Sequence, residues 1–298
     1  MRTQPLAASC AALVSLVSIL AWACGSEEPT TPGATPAEGA DAAPTDEDEE
    51  QAPAESTPGG TSGGRSGSSR SAGVETLPSE PYESETLGAI RGEVRFAGEA
   101  PERFKIVAEE KAECTHHADV DHLSEIVIVN DGKLQNVLVH VTRGYDESQV
   151  PAPPAEPAHL DQRGCTYVPH VLAVQTGRTL LIANSDPTNH NVNIVARKND
   201  IGGNRNVGEG QAPLSVVPDK EELSVLFKCD VHPWMRAYLH VIEHPWFAVS
   251  DAQGTFEIRD LPPGKYSLEF VHEEYGKKTA RDLVVEAGKS AVVAASFP

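Results

Sequence analysis

Cys229, His232 and Met235 stand at spacing C-x2-H-x2-M in the run Lys228-Cys229-Asp230-Val231-His232-Pro233-Trp234-Met235. A thiolate, an imidazole and a thioether so close together are donors for a soft metal ion. The run follows one apolar stretch, 223–227, and precedes another, 238–242, so the three donors share a tight loop between two predicted strands. A fourth donor must come from a neighbouring loop. Residues 179–182 read as a strand, and the loop after it supplies His190. Two His, one Cys and a weak axial Met form the donor set of a blue-copper electron-transfer site. The sulfur donors suit Cu(I), and the imidazoles accept both oxidation states. A geometry held between the two preferences changes little on electron transfer. One copper ion is therefore expected on His190, Cys229, His232 and Met235. Methionine is a poor ligand for zinc, which argues against that metal.

The elements that must position this loop are strands. From residue 86 onward, short apolar runs bounded by turn signals recur at 89–96, 126–129, 137–141, 171–174, 179–182, 192–195, 223–227 and 238–242. Such spacing predicts an all-β sandwich. Residues 150–157 hold four prolines and read as a loop. The tail repeats the pattern at smaller scale. Turns at 251–254 and 261–264 separate predicted strands, and 247–298 is expected to be a small sandwich of its own, with 86–246 as the metal-binding domain and 97–170 as its extension.

The N-terminus reads as an export signal. Arg2 is followed by an uncharged stretch to Ala23, and Ala21-Trp22-Ala23 has small residues at both ends of an A-x-A cleavage pattern. Cys24 comes next, so residues 1–23 would be removed. The position of Cys24 resembles the lipobox of bacterial lipoproteins, although Leu20 lies one place early. A lipid on Cys24 would tether the protein to a membrane without a spanning helix; the other reading is plain secretion. Residues 25–85 carry 14 acids and 2 bases among Pro, Gly, Ser and Thr. Such a segment cannot bury enough surface to offset its ordering entropy. Residues 24–85 are accordingly expected to be a disordered tether. The net charge of -20 argues against nucleic acid as a partner.

Export permits disulfides. Cys10 leaves with the signal, Cys24 is taken up by lipid, and Cys229 sits among metal-ligand residues, so Cys114 is expected to pair with Cys165, two free buried thiols being the alternative. The other histidines are weaker candidates. His116, His117 and His122 lie in a polar run with Asp119 and Asp121, which reads as an exposed loop or a further metal site. His140 and His240 fall in predicted strands, where packing roles are the default. His170 lies near Cys165 without being a ligand, and His244 and His272 read as structural.

Over 171–246 the chain resembles the cupredoxins, and in ligand spacing the amicyanins. The carriers are Cys229-Asp230-Val231-His232-Pro233-Trp234-Met235, and His190-Asn191-Val192 after the run from Gly177 to Asn184. That resemblance implies a Greek-key sandwich. It also implies that Asn191 ties the two ligand loops together, and that His232 presents its ring edge through an apolar patch where Pro233 and Trp234 meet a redox partner. The D-x-x-G-x-F-x-I and L-P-P-G-x-Y patterns of the tail resemble the transthyretin-like, carboxypeptidase regulatory-like modules, which bring no catalytic residues. Together the two resemble the loosely defined methylamine-utilisation-type proteins of bacteria. The implied function is non-enzymatic electron transfer outside the cytoplasmic membrane, in the periplasm or at the cell surface. Copper storage or delivery is the alternative, and so is a surface adhesion role with a degenerate site. No His-x-His pair is present for the further copper sites of a multicopper enzyme.

Overall fold

A computed structural model describes residues 73–298. The export signal expected over 1–23, the lipidation expected at Cys24 and the expected tether up to residue 72 lie outside the described residues. The described chain is all-β, with nineteen strands in two sandwiches.

One sandwich is built from both ends of the described chain. Its first part is β1 (Val74–Pro81), β2 (Gly88–Phe96), β3 (Val129–Asn130), β4 (Lys133–Leu134) and β5 (Leu138–Arg143). The metal-loop sandwich then follows: β6 (Ala158–Arg163), β7 (Thr166–Val168), β8 (Val171–Gln175), β9 (Leu180–Asn184), β10 (His190–Val195), β11 (Gly203–Val207), β12 (Leu214–Val216), β13 (Glu222–Lys228) and β14 (Arg236–Ile242). The chain returns to complete the first with β15 (Phe247–Val249), β16 (Thr255–Leu261), β17 (Gly264–His272), β18 (Gly276–Val285) and β19 (Lys289–Phe297).

In the outer sandwich, β2 lies between β19 on one edge and β16 and β4 on the other, while β5 lies between β15 and β17. Residues at spacing two point to one core: Tyr266, Leu268 and Phe270 on β17 meet Val139 and Val141 of β5 and Ile90 and Val94 of β2. The inner sandwich stacks the sheet β11-β10-β13-β14-β8 on the sheet β12-β9-β6-β7. Leu160, Tyr167, Ile182, Val192, Phe227 and Leu239 fill the space between.

This pairing departs from the division expected at 246/247. Strands from 88–96 and 138–143 belong to the tail's sandwich, and 247–298 has no complete sheet without them. Apolar periodicity shows that a run is a strand but not which strand it pairs with. The expected tether also ends sooner. β1 pairs with β19 as an edge strand, although all but its first residue are exposed. Backbone pairing holds it, so no apolar pattern announced it.

Between β2 and β3 the chain makes an excursion onto the inner sandwich. Its two ends meet, with the Ile106 N–H donating to the His122 carbonyl at 2.9 Å and the Ser124 N–H to the Phe104 carbonyl at 2.8 Å. The closed loop 104–123 has the pinched ends of an Ω-loop, although it is longer than the usual one. Ala108 and Cys114 are buried in the inner core, and a disulfide joins Cys114 to Cys165. The expected bridge is present.

Candidate metal centre

β13 and β14 form a hairpin whose turn is the ligand loop. Cys229 follows the last residue of β13, and Met235 precedes the first of β14. The loop closes on itself: the Met235 N–H donates to the His232 carbonyl at 2.9 Å, and the Cys229 N–H to the Met235 carbonyl at 3.3 Å. β10 pairs with β13 in register Asn193 to Lys228, which brings His190, at the start of β10, beside Cys229.

Three donor atoms converge. The His190 and His232 Nδ1 atoms are 2.9 Å apart, and Cys229 Sγ lies 3.9 Å from the first and 4.0 Å from the second. The circle through these atoms has a radius of about 2.1 Å, against bond lengths of about 2.0–2.1 Å to imidazole nitrogen and about 2.3 Å to thiolate sulfur for a first-row metal such as zinc. One ion at its centre fits all three. Met235 is buried at the end of the same loop. The set of two imidazoles, one thiolate and a nearby thioether matches copper in its preferences.

The shifts at Cys229 and His232 favour a metal, while a metal at His190 must displace a proton. Burial pushes the Cys229 thiol up, but His190 beside it and backbone N–H groups of the loop outweigh burial, so its pKa falls below the usual value. The His232 N–H donates to the sulfur at 3.4 Å. Burial, reinforced by His190, holds His232 below the ordinary imidazole range and leaves its ring neutral at pH 7. Burial pulls His190 down as well, but Asp186 and Cys229 more than offset it and raise the pKa.

Asp186 is the residue that sequence reasoning missed. Its side chain is fully buried and accepts from the Gly164 N–H at 2.6 Å and the Cys165 N–H at 2.8 Å. His190 Nε2–H donates at 2.9 Å to Oδ2, the oxygen that also accepts from Cys165. That bond fixes the tautomer that leaves Nδ1 as the donor. The only sequence signal was an acid four residues before His190. Asn191 lies where expected between the loops. Its Oδ1 accepts from the Asp230 N–H at 2.8 Å and the Val231 N–H at 3.2 Å, and Cys229 Sγ lies 3.3 Å away. Asp230 in turn accepts from the side-chain amides of Asn191, Asn193 and Asn204.

The surroundings of His232 differ from the expected open edge. His232 is only 6% exposed. The disulfide sulfurs lie within 4.8 Å of one of its nitrogens, and Lys111 and Glu113 of the Ω-loop are close enough to act on its charge. A cover of this kind has no counterpart in the ligand motif, so the motif could not reveal it. Pro233 is exposed, while Trp234 is half-buried, with its Nε1–H donating to the Cys165 carbonyl at 3.0 Å and its ring 5.3 Å from that of His232. Val231 is the exposed apolar side chain of the loop, at 59%.

The second histidine run does not converge. His116 is exposed, and His117 Nε2 lies 3.3 Å from Asp186 Oδ1. His122 is buried, its Nε2 lying 3.2 Å from the Cys114 carbonyl and 3.1 Å from that of Gly164, so it latches the Ω-loop instead of facing solvent. No cluster of three metal-capable side chains among the described residues includes any of them. His170 bonds the Arg236 carbonyl at 3.0 Å and Glu273 at 2.5 Å, away from the metal ligands. His140, His240, His244 and His272 are buried in the sandwiches.

Residues 237–297 match the carboxypeptidase regulatory-like domain family. Among solved structures, the chain is similar to a copper-containing nitrite reductase (NirK) from Thermus scotoductus SA-01, at 14% identity and TM-score 0.27 over 50% of this chain. It spans only 28% of that enzyme's length. A methionine-to-alanine variant of amicyanin with Cu(I) matches at 20% identity and TM-score 0.24, over 35% of this chain and 97% of its own. A purple cupredoxin from Nitrosopumilus maritimus matches at 20% identity and TM-score 0.23, over 28% of this chain and 98% of its own. No curated protein matches the sequence. At such low scores the metal assignment rests on the donor geometry.

Proposed function

We propose that the protein is an exported type 1 copper protein that carries single electrons. The observation that supports this reading most directly is the triangle of His190, His232 and Cys229, whose centre is one metal–ligand bond from each donor. When bound, copper would supply a one-electron couple. The protein's own residues do the rest. Asp186 orients His190, Asn191 holds both ligand loops, and burial of the donor residues keeps water from them, so the donors change little between oxidation states. The chain would act as a carrier with no catalytic site of its own, and Pro233, Trp234 and Val231 form the face offered to a redox partner. Export by residues 1–23 and a lipid on Cys24 would place it on a membrane facing the periplasm or the outside.

Visible absorption of the full mature chain with Cu(II), beside Cys229→Ser, tests the centre. An intense band near the blue-copper region, abolished by the substitution, is the expected result. A folded protein with reduced Cys229 and no such band overturns the reading. A copper-holding role is the second reading, favoured by the cover over His232. It requires slow electron exchange with small redox dyes, where the carrier reading requires fast exchange. Membrane fractionation of Cys24→Ser tests the anchor.

A further inference from the structure

The Cys114–Cys165 disulfide stands against the metal centre. Its two sulfurs and one ring nitrogen of His232 lie within 4.8 Å of one another. The Cys165 sulfur is also within 4.8 Å of a His190 nitrogen and an Asp186 oxygen. Both cysteines are fully buried, and so is nearly all of His232.

Each cysteine is held independently of the S–S bond. The Cys114 N–H donates to the Lys111 carbonyl at 3.0 Å, and its own carbonyl faces His122 Nε2 at 3.2 Å. The Cys165 N–H donates to Asp186 at 2.8 Å, and its carbonyl accepts from Trp234 at 3.0 Å. The loop ends are closed by their own backbone bonds. Breaking the bridge therefore leaves the two cysteine backbones in place, and the sulfurs part only to non-bonded contact beside His232.

We propose that reduction of this disulfide creates a second metal site, for Cu(I), from the thiolates of Cys114 and Cys165 and the imidazole of His232. A dithiol reductant supplies two electrons. The S–S bond breaks, two protons convert the sulfurs to thiols, and the reductant becomes a disulfide. Cu(I) then binds as thiol protons leave to solvent, because the thiolate is the metal ligand. Two soft sulfurs and one nitrogen suit Cu(I). While the bridge is intact its sulfurs carry no charge, so the site exists only in the reduced protein. The choice of Cu(I) rests on the copper reading of the neighbouring centre. Sharing His232 couples the two sites.

The test uses the mature chain from residue 24 carrying Cys24→Ser and Cys229→Ser, which leaves Cys114 and Cys165 as its cysteines. The protein is reduced anaerobically, freed of reductant and titrated with Cu(I) against a chromogenic Cu(I) chelator. The reduced form is expected to take up one Cu(I), with two sulfur ligands by X-ray absorption. The disulfide form is expected to bind at least 100-fold more weakly. Adding Cys114→Ser is expected to cost the reduced form the same factor, and adding His232→Ala at least 10-fold. Equal binding by the reduced and disulfide forms overturns the proposal. So does binding that His232→Ala leaves unchanged, the result given by thiols in an unfolded chain. The blue band of the disulfide form with Cys229 intact reports separately on the copper reading, so the two can fail independently.

Discussion

Asp186→Asn changes one atom in the buried ring of contacts behind His190, and its effect follows from the geometry. Oδ1 of Asp186 faces the Gly164 N–H at 2.6 Å and His117 Nε2 at 3.3 Å, while Oδ2 faces the Cys165 N–H at 2.8 Å and His190 Nε2–H at 2.9 Å. All these neighbours call for an acceptor on Asp186. An asparagine offers one oxygen and one donor-only nitrogen. Whichever way the amide turns, its NH₂ meets a backbone N–H and a histidine. At least one buried N–H is left unsatisfied, which costs about 1–3 kcal/mol. If the nitrogen takes the Oδ2 place, His190 also loses the partner that fixes its tautomer. Losing such a support for a metal-bound histidine lowers metal affinity by about 10–100-fold.

Urea unfolding of the metal-free protein measures the first quantity, and competition for Cu(II) the second. The expected result is a lower midpoint at unchanged slope, together with weaker copper binding. A loss below about 0.5 kcal/mol with unchanged affinity would refute the argument, because the carboxylate would then not be serving as the common acceptor.

Other perturbations separate the parts. Asn191→Ala removes the acceptor of two exposed loop N–H groups and is expected to destabilise the metal-free protein by about 0.5–1.5 kcal/mol and to broaden the visible band of the copper form. His170 has a raised pKa: burial pulls it down, but its bond to Glu273 and the charges of Glu273 and Glu125 outweigh burial. Its stabilisation is therefore complete below an unfolded-state pKa of about 6.5 and is lost as pH rises through the folded-state value. The stability gap between the parent and His170→Gln, measured in urea, should be wider at pH 6 than at pH 9; a gap that grows with pH would be the wrong sign. A peptide of 247–298 should show no cooperative unfolding by circular dichroism, because the partners of β16, β19 and β17 on β2 and β5 are missing. Gly92→Ala would set a methyl group 1.9 Å from the Val293 carbonyl, a backbone atom that cannot turn aside. Urea unfolding should show a loss of about 3 kcal/mol, the upper end of what overpacking costs.

Most of the centre was legible because its chemistry is local. Cys229, His232 and Met235 sit in one loop, and flanking apolar runs were enough to identify the hairpin that holds it. His190 and Asn191 were reachable because their loop follows a recognisable strand. The disulfide followed from setting Cys229 aside. Asp186 escaped because its role depends on the N–H groups of Gly164 and Cys165, which only folding brings to it. The cover over His232 escaped for the same reason. Polar residues 116–122 look like any solvated loop until Cys114 is fixed to Cys165. The domain boundary failed on a different point. A strand's partner is chosen by the sheet, and 88–96 carries the same alternation whichever sandwich receives it.

That choice of partner explains how the centre is assembled. The inner sandwich leaves the outer one after β5 and returns at β15, and these two strands are paired, Phe247 against His140 and Val249 against Leu138. Its two ends are therefore clamped side by side, the arrangement in which one domain can be inserted into another without strain. The Ω-loop is a second excursion from the same sandwich, between β2 and β3. The outer sandwich thus delivers the metal-loop hairpin by one insertion and the cover, with Cys114, by the other. Their meeting at the disulfide beside His232 requires both insertion points to be fixed. A substitution in the outer core, far from every ligand, can then loosen the cover while leaving the three donors intact. Ile258→Ala on β16, buried between the sheets, should show this as a larger acceleration of hydrogen exchange over the parent in 104–123 than in β10 and β13. Equal acceleration in the cover and the hairpin would mean that the two excursions do not depend on their common frame.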